Sequence, residues 1–274
     1  MIGRWSLVVV LGTAMILQSC GPSAETGKPA PTSAALYARG HEYYLGQNFD
    51  SAVALLQRVV AMDSTHVAAL TDLGDAQYEL AMRAKGMNDS DHLSKAREAR
   101  STLIRLESLG NQESSVYDRI CELSVSLEDS KAFLKYAKKN AEKYPYDRQT
   151  YNLGLAYYQS GDYASSVKVT KPALEKFRQS PYIGGFHRTL GLAYMKQDRD
   201  QSATKVLESG VEAADARLAA LKKAGTEPGS ADDRRLTEDR VALLTMLRKL
   251  YTTYNEQQKL ERVERLLREA GQMQ

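Results

Sequence analysis

The stretch "NLGLAYYQSGDY", residues 152–163, decides the fold. It carries a glycine, Gly154, an aromatic residue three positions on, Tyr157, and then a polar turn; a small residue, Ser166, follows twelve positions after the glycine. The layout recurs as Gly40, Tyr43 and Ala52 within 39–64, and as Gly191, Tyr194 and Ala203 within 190–214. Gly74 lies 34 residues after Gly40, so the period repeats as well as the content.

Two small residues at this spacing let a pair of helices approach closely, and the aromatic ring fills the space beside the contact. The intervening "GQN", "SGD" and "KQD" are polar turns. Asn48, Asp162 and Asp198 are expected to cap the second helices. Apolar residues then recur at helical spacing, as at Ala52, Leu55, Leu56, Val59 and Val60. The reading is a series of helical hairpins.

This pattern resembles the tetratricopeptide repeat, a helix–turn–helix unit of about 34 residues. The resemblance implies an all-α fold: a right-handed superhelical solenoid of about six units, near 33–66, 67–110, 114–146, 147–180, 184–224 and 234–270. In the second unit Ala96 is expected to be the small partner of Gly74, 22 residues on. That spacing makes 82–91 an insertion and starts the second helix near Ser94. Cys121 takes the small position of the third unit, as a buried structural thiol. Tyr251 and Val263 keep the twelve-residue spacing in the last unit, but Tyr251 is not small, which implies looser or skewed packing there. Gly191 and Tyr251 are 60 residues apart, and the surplus predicts an extended helical hairpin of 200–225 and 234–255, with Gly225 as the stop. Two readings of that hairpin stand: it projects beyond the solenoid, or it caps the end of the stack.

The N-terminus has a different character. Arg4 is followed by an uncharged stretch from Trp5 to Leu17, too short to span a bilayer comfortably, and then Gln18-Ser19-Cys20. Leu17, Ser19 and Cys20 resemble the lipobox of bacterial lipoproteins. That resemblance implies a signal peptide over 1–19, cleavage before Cys20, and diacylglycerol on its thiol. An uncleaved signal anchor and an ordinary secreted cysteine are the alternatives. Residues 20–34, with Pro22, Pro29 and Pro31, read as a tether to a solenoid over 35–274. Gly21 stands where an Asp would favour inner-membrane retention, so the expected location is the outer membrane, facing the periplasm; an inner-membrane scaffold is the alternative. A Cys20–Cys121 bridge requires an unmodified Cys20.

The 37 basic and 34 acidic side chains leave a net charge of +3, and no basic field argues for nucleic acid. His41, His66, His92 and His187 are scattered, and no metal, phosphate-loop or nucleophile motif is present. The expectation is a non-enzymatic protein without metal or cofactor, whose partner is a protein or peptide. An enzyme or small-ligand binder would need convergent polar groups that the sequence does not offer. In a tetratricopeptide solenoid the first helices line the concave face. Their stripes here are Tyr37, His41 and Tyr44; Thr71, Asp75 and Tyr78; Asp118, Glu122 and Val125; Tyr151, Leu155 and Tyr158; and Arg188, Leu192 and Met195. They predict a partner groove with an acidic middle and a basic end at Arg148, Arg188 and Lys196. The competing reading is that the tyrosines pack between repeats.

Overall fold

The computed structural model describes residues 31–272, and their regular structure is entirely α-helical. Contacts divide the chain into Met1–Thr32 and Ser33–Gln274, and the described residues fall almost wholly in the second unit. The signal segment, Cys20 and nearly all of the expected tether lie outside them.

Twelve helices form six successive hairpins: α1 (Ser33–Leu45) with α2 (Phe49–Met62), α3 (Val67–Gly86) with α4 (His92–Ser108), α5 (Ser114–Ser126) with α6 (Ser130–Lys143), α7 (Asp147–Gln159) with α8 (Tyr163–Lys176), α9 (Ile183–Met195) with α10 (Asp200–Lys223), and α11 (Ala231–Thr253) with α12 (Gln257–Gln272). Each helix packs on the next, and α1 on α3, α7 on α9, and α9 on α11 as well. These first helices lie side by side, and the ion pairs of Arg119 with Asp75 and of Arg148 with Glu122 join α3, α5 and α7 into the same face of the stack.

The seam inside a hairpin follows from the glycines. A Cβ on Gly40 would stand 2.9 Å from Leu56, one on Gly154 2.5 Å from the Thr170 hydroxyl, and one on Gly191 2.6 Å from Leu207, each partner sixteen residues on. Ser166 closes its seam by donating from Oγ to the Gly154 carbonyl at 2.8 Å. Leu56, Leu207, Ala52 and Ala203 are wholly buried. Removing such side chains from water is the main favourable term in folding a stack of this kind.

The second hairpin corrects the expectation for Ala96. Gly74 packs against Leu103 and Thr102, not Ala96. By that register Ala99, four residues before Leu103 and wholly buried, corresponds to Ala52. Ala96 is buried one turn nearer the hairpin turn. The extra residues are not a loop over 82–91. "ELAMRAKG" continues α3 without a breaker, and α4 starts at His92, ahead of Ser94. The insertion thus lengthens both helices.

The turns correct a second expectation. Asn48 and Asp162 cap as expected, accepting from the backbone N–H of Ser51 at 3.3 Å and of Ser165 at 3.0 Å. Asp198 does not cap; it sits at φ 56°, and Arg199 occupies the cap position with no side-chain bond. The physical register is set by a backbone turn at a fixed position. The carbonyls of Tyr43, Tyr157 and Tyr194 accept the N–H of Asn48, Asp162 and Arg199, in each case across one left-handed residue, Gln47, Gly161 or Asp198. The third hairpin obeys the same rule: Glu128 is left-handed, and Asp129 caps by accepting from Ala132 N–H at 3.0 Å.

The long hairpin of α10 and α11 forms, with Gly225 at φ 74° just past α10. It does not stand clear of the stack, since Leu221 and Leu236 near its turn pack with Ile183 and Leu174 of the preceding helices. Tyr251 is buried in the cluster that joins α9 to α12, and its hydroxyl donates to Glu208 of α10 at 2.6 Å.

Candidate interaction face

The inner face is built by side chains that reach from one first helix to the next. His41 of α1 meets Asp72 of α3 at 2.7 Å, and the Tyr44 hydroxyl donates to Asp75 at 3.2 Å. Arg119 of α5 pairs with the other oxygen of Asp75 at 2.7 Å and lies over the Tyr78 ring. Tyr78 donates to Glu122 of α5, which also receives Arg148 of α7. Asp118 beside it is held by Asn140 at 2.8 Å, Gln149 at 3.2 Å and Arg148 at 3.4 Å. Tyr37 packs its ring against His41 and His66.

Further along, the Arg188 guanidinium of α9 donates to the Tyr151 hydroxyl of α7 at 3.1 Å and pairs with Asp239 of α11 at 3.3 Å. Two glycines in the first turn of α9 make room for this contact. A Cβ on Gly184 would fall 2.7 Å from the Asp239 Cβ, and one on Gly185 2.7 Å from the Tyr151 ring. The Asp239 carboxylate therefore rests on the positive end of α9. Burial, opposed by their arginines, holds Asp75, Asp118 and Asp239 above the ordinary aspartate value.

Some stripe residues are less engaged. Leu155 is half-buried against the central core, and Tyr158 packs on Tyr163 with a centroid distance of 5.6 Å. Leu192 and Met195 are half-buried. Lys196 is exposed at the end of α9. A recess of about 350 Å³ opens between the turn-side ends of α1 and α3 and Arg119 of α5, lined by Tyr44, Phe49, Asp75, Glu79, Arg83 and Arg119.

The basic end expected at Arg148, Arg188 and Lys196 is not an open cationic patch: Arg148 is neutralised by carboxylates of α5 and Arg188 by one of α11. Sequence reasoning missed Arg119, Asn140, Gln149, Tyr182, Arg235 and Asp239. The available signal was a charged residue on each first helix, but the partner sits on another repeat. Among the described residues, no three His, Cys, Asp or Glu side chains converge to hold a metal ion. Cys121 is unpaired among the described residues and buried, and its surroundings push its thiol well above the ordinary value.

Comparison with known proteins bears on this architecture. Residues 37–80 match the tetratricopeptide repeat family. No curated protein matches the sequence. Solved structures with a similar fold include MamA, at 16% identity over 67% of this chain and 92% of that one, with a TM-score of 0.54. YrrB, described as a TPR protein with an unusual peptide-binding site, is similar at 14% identity over 71% of this chain and 92% of that one, with a TM-score of 0.55. At these identities the likeness concerns the fold alone. The family match thus covers a segment of the first two hairpins, and the described helices share their fold with these solved structures.

Proposed function

We propose that this chain is a non-catalytic scaffold that docks a protein or peptide along its inner helix face. We place it at the bacterial envelope, anchored by lipid on Cys20 in the outer membrane and facing the periplasm. The observation that carries the docking reading is the cross-linked inner face itself. Side chains of α1, α3, α5, α7, α9 and α11 fix one another by hydrogen bonds and ion pairs, so little side-chain entropy is left to lose when a partner binds. Half-buried Leu155, Tyr158, Leu192 and Met195 add apolar contact area beside that polar ladder. The peptide-binding site named for YrrB supports the same use of the fold. Anchoring confines such a scaffold to a surface and raises its effective concentration for partners there.

Photo-crosslinking tests the docking half. A benzoylphenylalanine at Tyr158 or Leu192 is expected to capture one defined partner, and the same group at Arg97, on the exposed side of α4, is not. Equal capture from both sides would remove the inner face as the site. Fatty-acid labelling of wild type and Cys20→Ala tests the anchor; label is expected only in wild type.

A further inference from the structure

Two rows of side chains cross the inner face between α7 and α11. The row through Tyr151, Arg188 and Asp239 is closed, each group bonded to the next. The row about one helical turn nearer the starts of α7 and α11 holds Arg148, Tyr182 and Arg235, and it is open. Arg148 is committed to Asp118 and Glu122. The Arg235 guanidinium lies 4.2 Å from the centroid of the Tyr182 ring, but it makes no hydrogen bond or ion pair among the described residues, and its Nε is buried without a partner. Asp239, one turn along α11, pairs closely with Arg188 and attracts Arg235 only from longer range. The Tyr182 hydroxyl also has no hydrogen-bond partner among the described residues, and its ring is wedged between Arg235 and Tyr151, 5.3 Å away. Burial raises the Tyr182 hydroxyl above its ordinary value, which keeps it a neutral donor.

A guanidinium stacked on an aromatic ring, with a phenol beside it and unused N–H groups, is built for a planar anion. We infer that Arg235 and Tyr182 receive a carboxylate of the docked partner, from an Asp or Glu of a peptide lying along the inner face. This deepens the docking reading and rests on it. A nucleic-acid backbone fits less well, because it needs several free cations in line and the neighbouring arginines are neutralised.

The test begins with a random decapeptide array probed with the labelled protein. Bound peptides are expected to be enriched in Asp and Glu. The best acidic binder is then measured by fluorescence anisotropy. Arg235→Gln is expected to weaken it roughly tenfold, the scale of one lost charge-assisted hydrogen bond. Tyr182→Phe, which removes a single oxygen, should weaken it about threefold with an unchanged circular dichroism spectrum and melting curve. Replacing the responsible peptide Asp or Glu by its amide should cost as much with wild type and little more with Arg235→Gln, the mark of a direct pair. Binders without acidic preference, full affinity in Arg235→Gln, or a single-stranded oligonucleotide that competes through Arg235 would each overturn the inference. Peptides that crosslink at Tyr158 yet ignore Arg235 overturn it and leave docking standing; an array without any binder overturns both.

Discussion

The inner face has two halves that solve one problem differently. Across α1, α3 and α5, each carboxylate finds its partner by side-chain reach: His41 to Asp72, Tyr44 and Arg119 to Asp75, Tyr78 to Glu122. Across α7, α9 and α11, the helices themselves are brought close. Gly184 and Gly185 remove two side chains so that Asp239 and Tyr151 can lie against α9. The first solution uses flexible groups and tolerates change. The second depends on backbone proximity, and it leaves Arg235 and Tyr182 with unused donors. Rigid packing next to unspent hydrogen-bonding capacity marks a binding surface better than the count of tyrosines does.

The largest expected effects lie on the close-packed side. Arg188→Leu would leave the buried Asp239 carboxylate only the backbone at the start of α9 and the more distant Arg235, and should lower unfolding stability by about 3 kcal/mol in urea titrations. Arg119→Leu leaves Asp75 its Tyr44 bond, and its loss should be clearly smaller, about 1–2 kcal/mol. Gly185→Ala must displace the Tyr151 ring and should cost about 3 kcal/mol, whereas Gly40→Ala presses on Cγ and Cδ2 of the Leu56 side chain and should cost about 1 kcal/mol. Equal losses within either pair would erase the distinction between the halves.

Acid should act on the close-packed side first. His187 is buried between α9 and α10, with Nδ1 3.0 Å from the Val206 carbonyl, and burial holds its pKa below 6.5. The folded chain therefore binds this proton more weakly than the unfolded chain does. The stability it contributes is complete above the unfolded value and is lost as pH falls through that value toward the folded one. Between pH 7 and 5.5 the urea midpoint should fall, with a limiting slope of about 1.4 kcal/mol per pH unit. His187→Gln should flatten the slope. The raised Asp75, Asp118 and Asp239 act in the opposite sense and lower down: their proton-linked stabilisation is full below the ordinary aspartate value and fades as pH rises through their raised values.

The contrast also explains which features were legible. Seams within a hairpin join residues at a fixed spacing, so Gly154 with Ser166 and Gly191 with Ala203 could be read directly. Ala96 misled because the insertion continues α3 as helix, which moved the true counterpart of Ala52 to Ala99. Contacts between hairpins carry no fixed spacing. Tyr78 and Glu122 are separated by the lengthened second hairpin, and Arg188 and Asp239 by the long α10. Which arginine meets which carboxylate depends on the angle between repeats, and nothing local in the sequence encodes that angle. Arg235 was hidden further because the long α10 starts its helix at Ala231, well beyond one 34-residue period after the start of α9 at Ile183.

The smallest effect concerns the turns, where a one-residue error is testable. If Asp198 were a cap, Asp198→Gly would be nearly neutral and Asp198→Ala would destabilise as Asn48→Ala does, by about 1 kcal/mol. The structure instead places Asp198 at φ 56°, a conformation that costs an L-residue energy and glycine almost none. Asp198→Gly should therefore raise stability by about 0.5 kcal/mol. Arg199→Asp, which puts a capping side-chain oxygen where Asn48 and Asp162 have theirs, should add about 1 kcal/mol. The two gains should be nearly additive, because one removes backbone strain and the other satisfies an orphan N–H of α10. A stabilising Arg199→Asp would also show that the fifth hairpin keeps the register of the others and has lost only its cap residue.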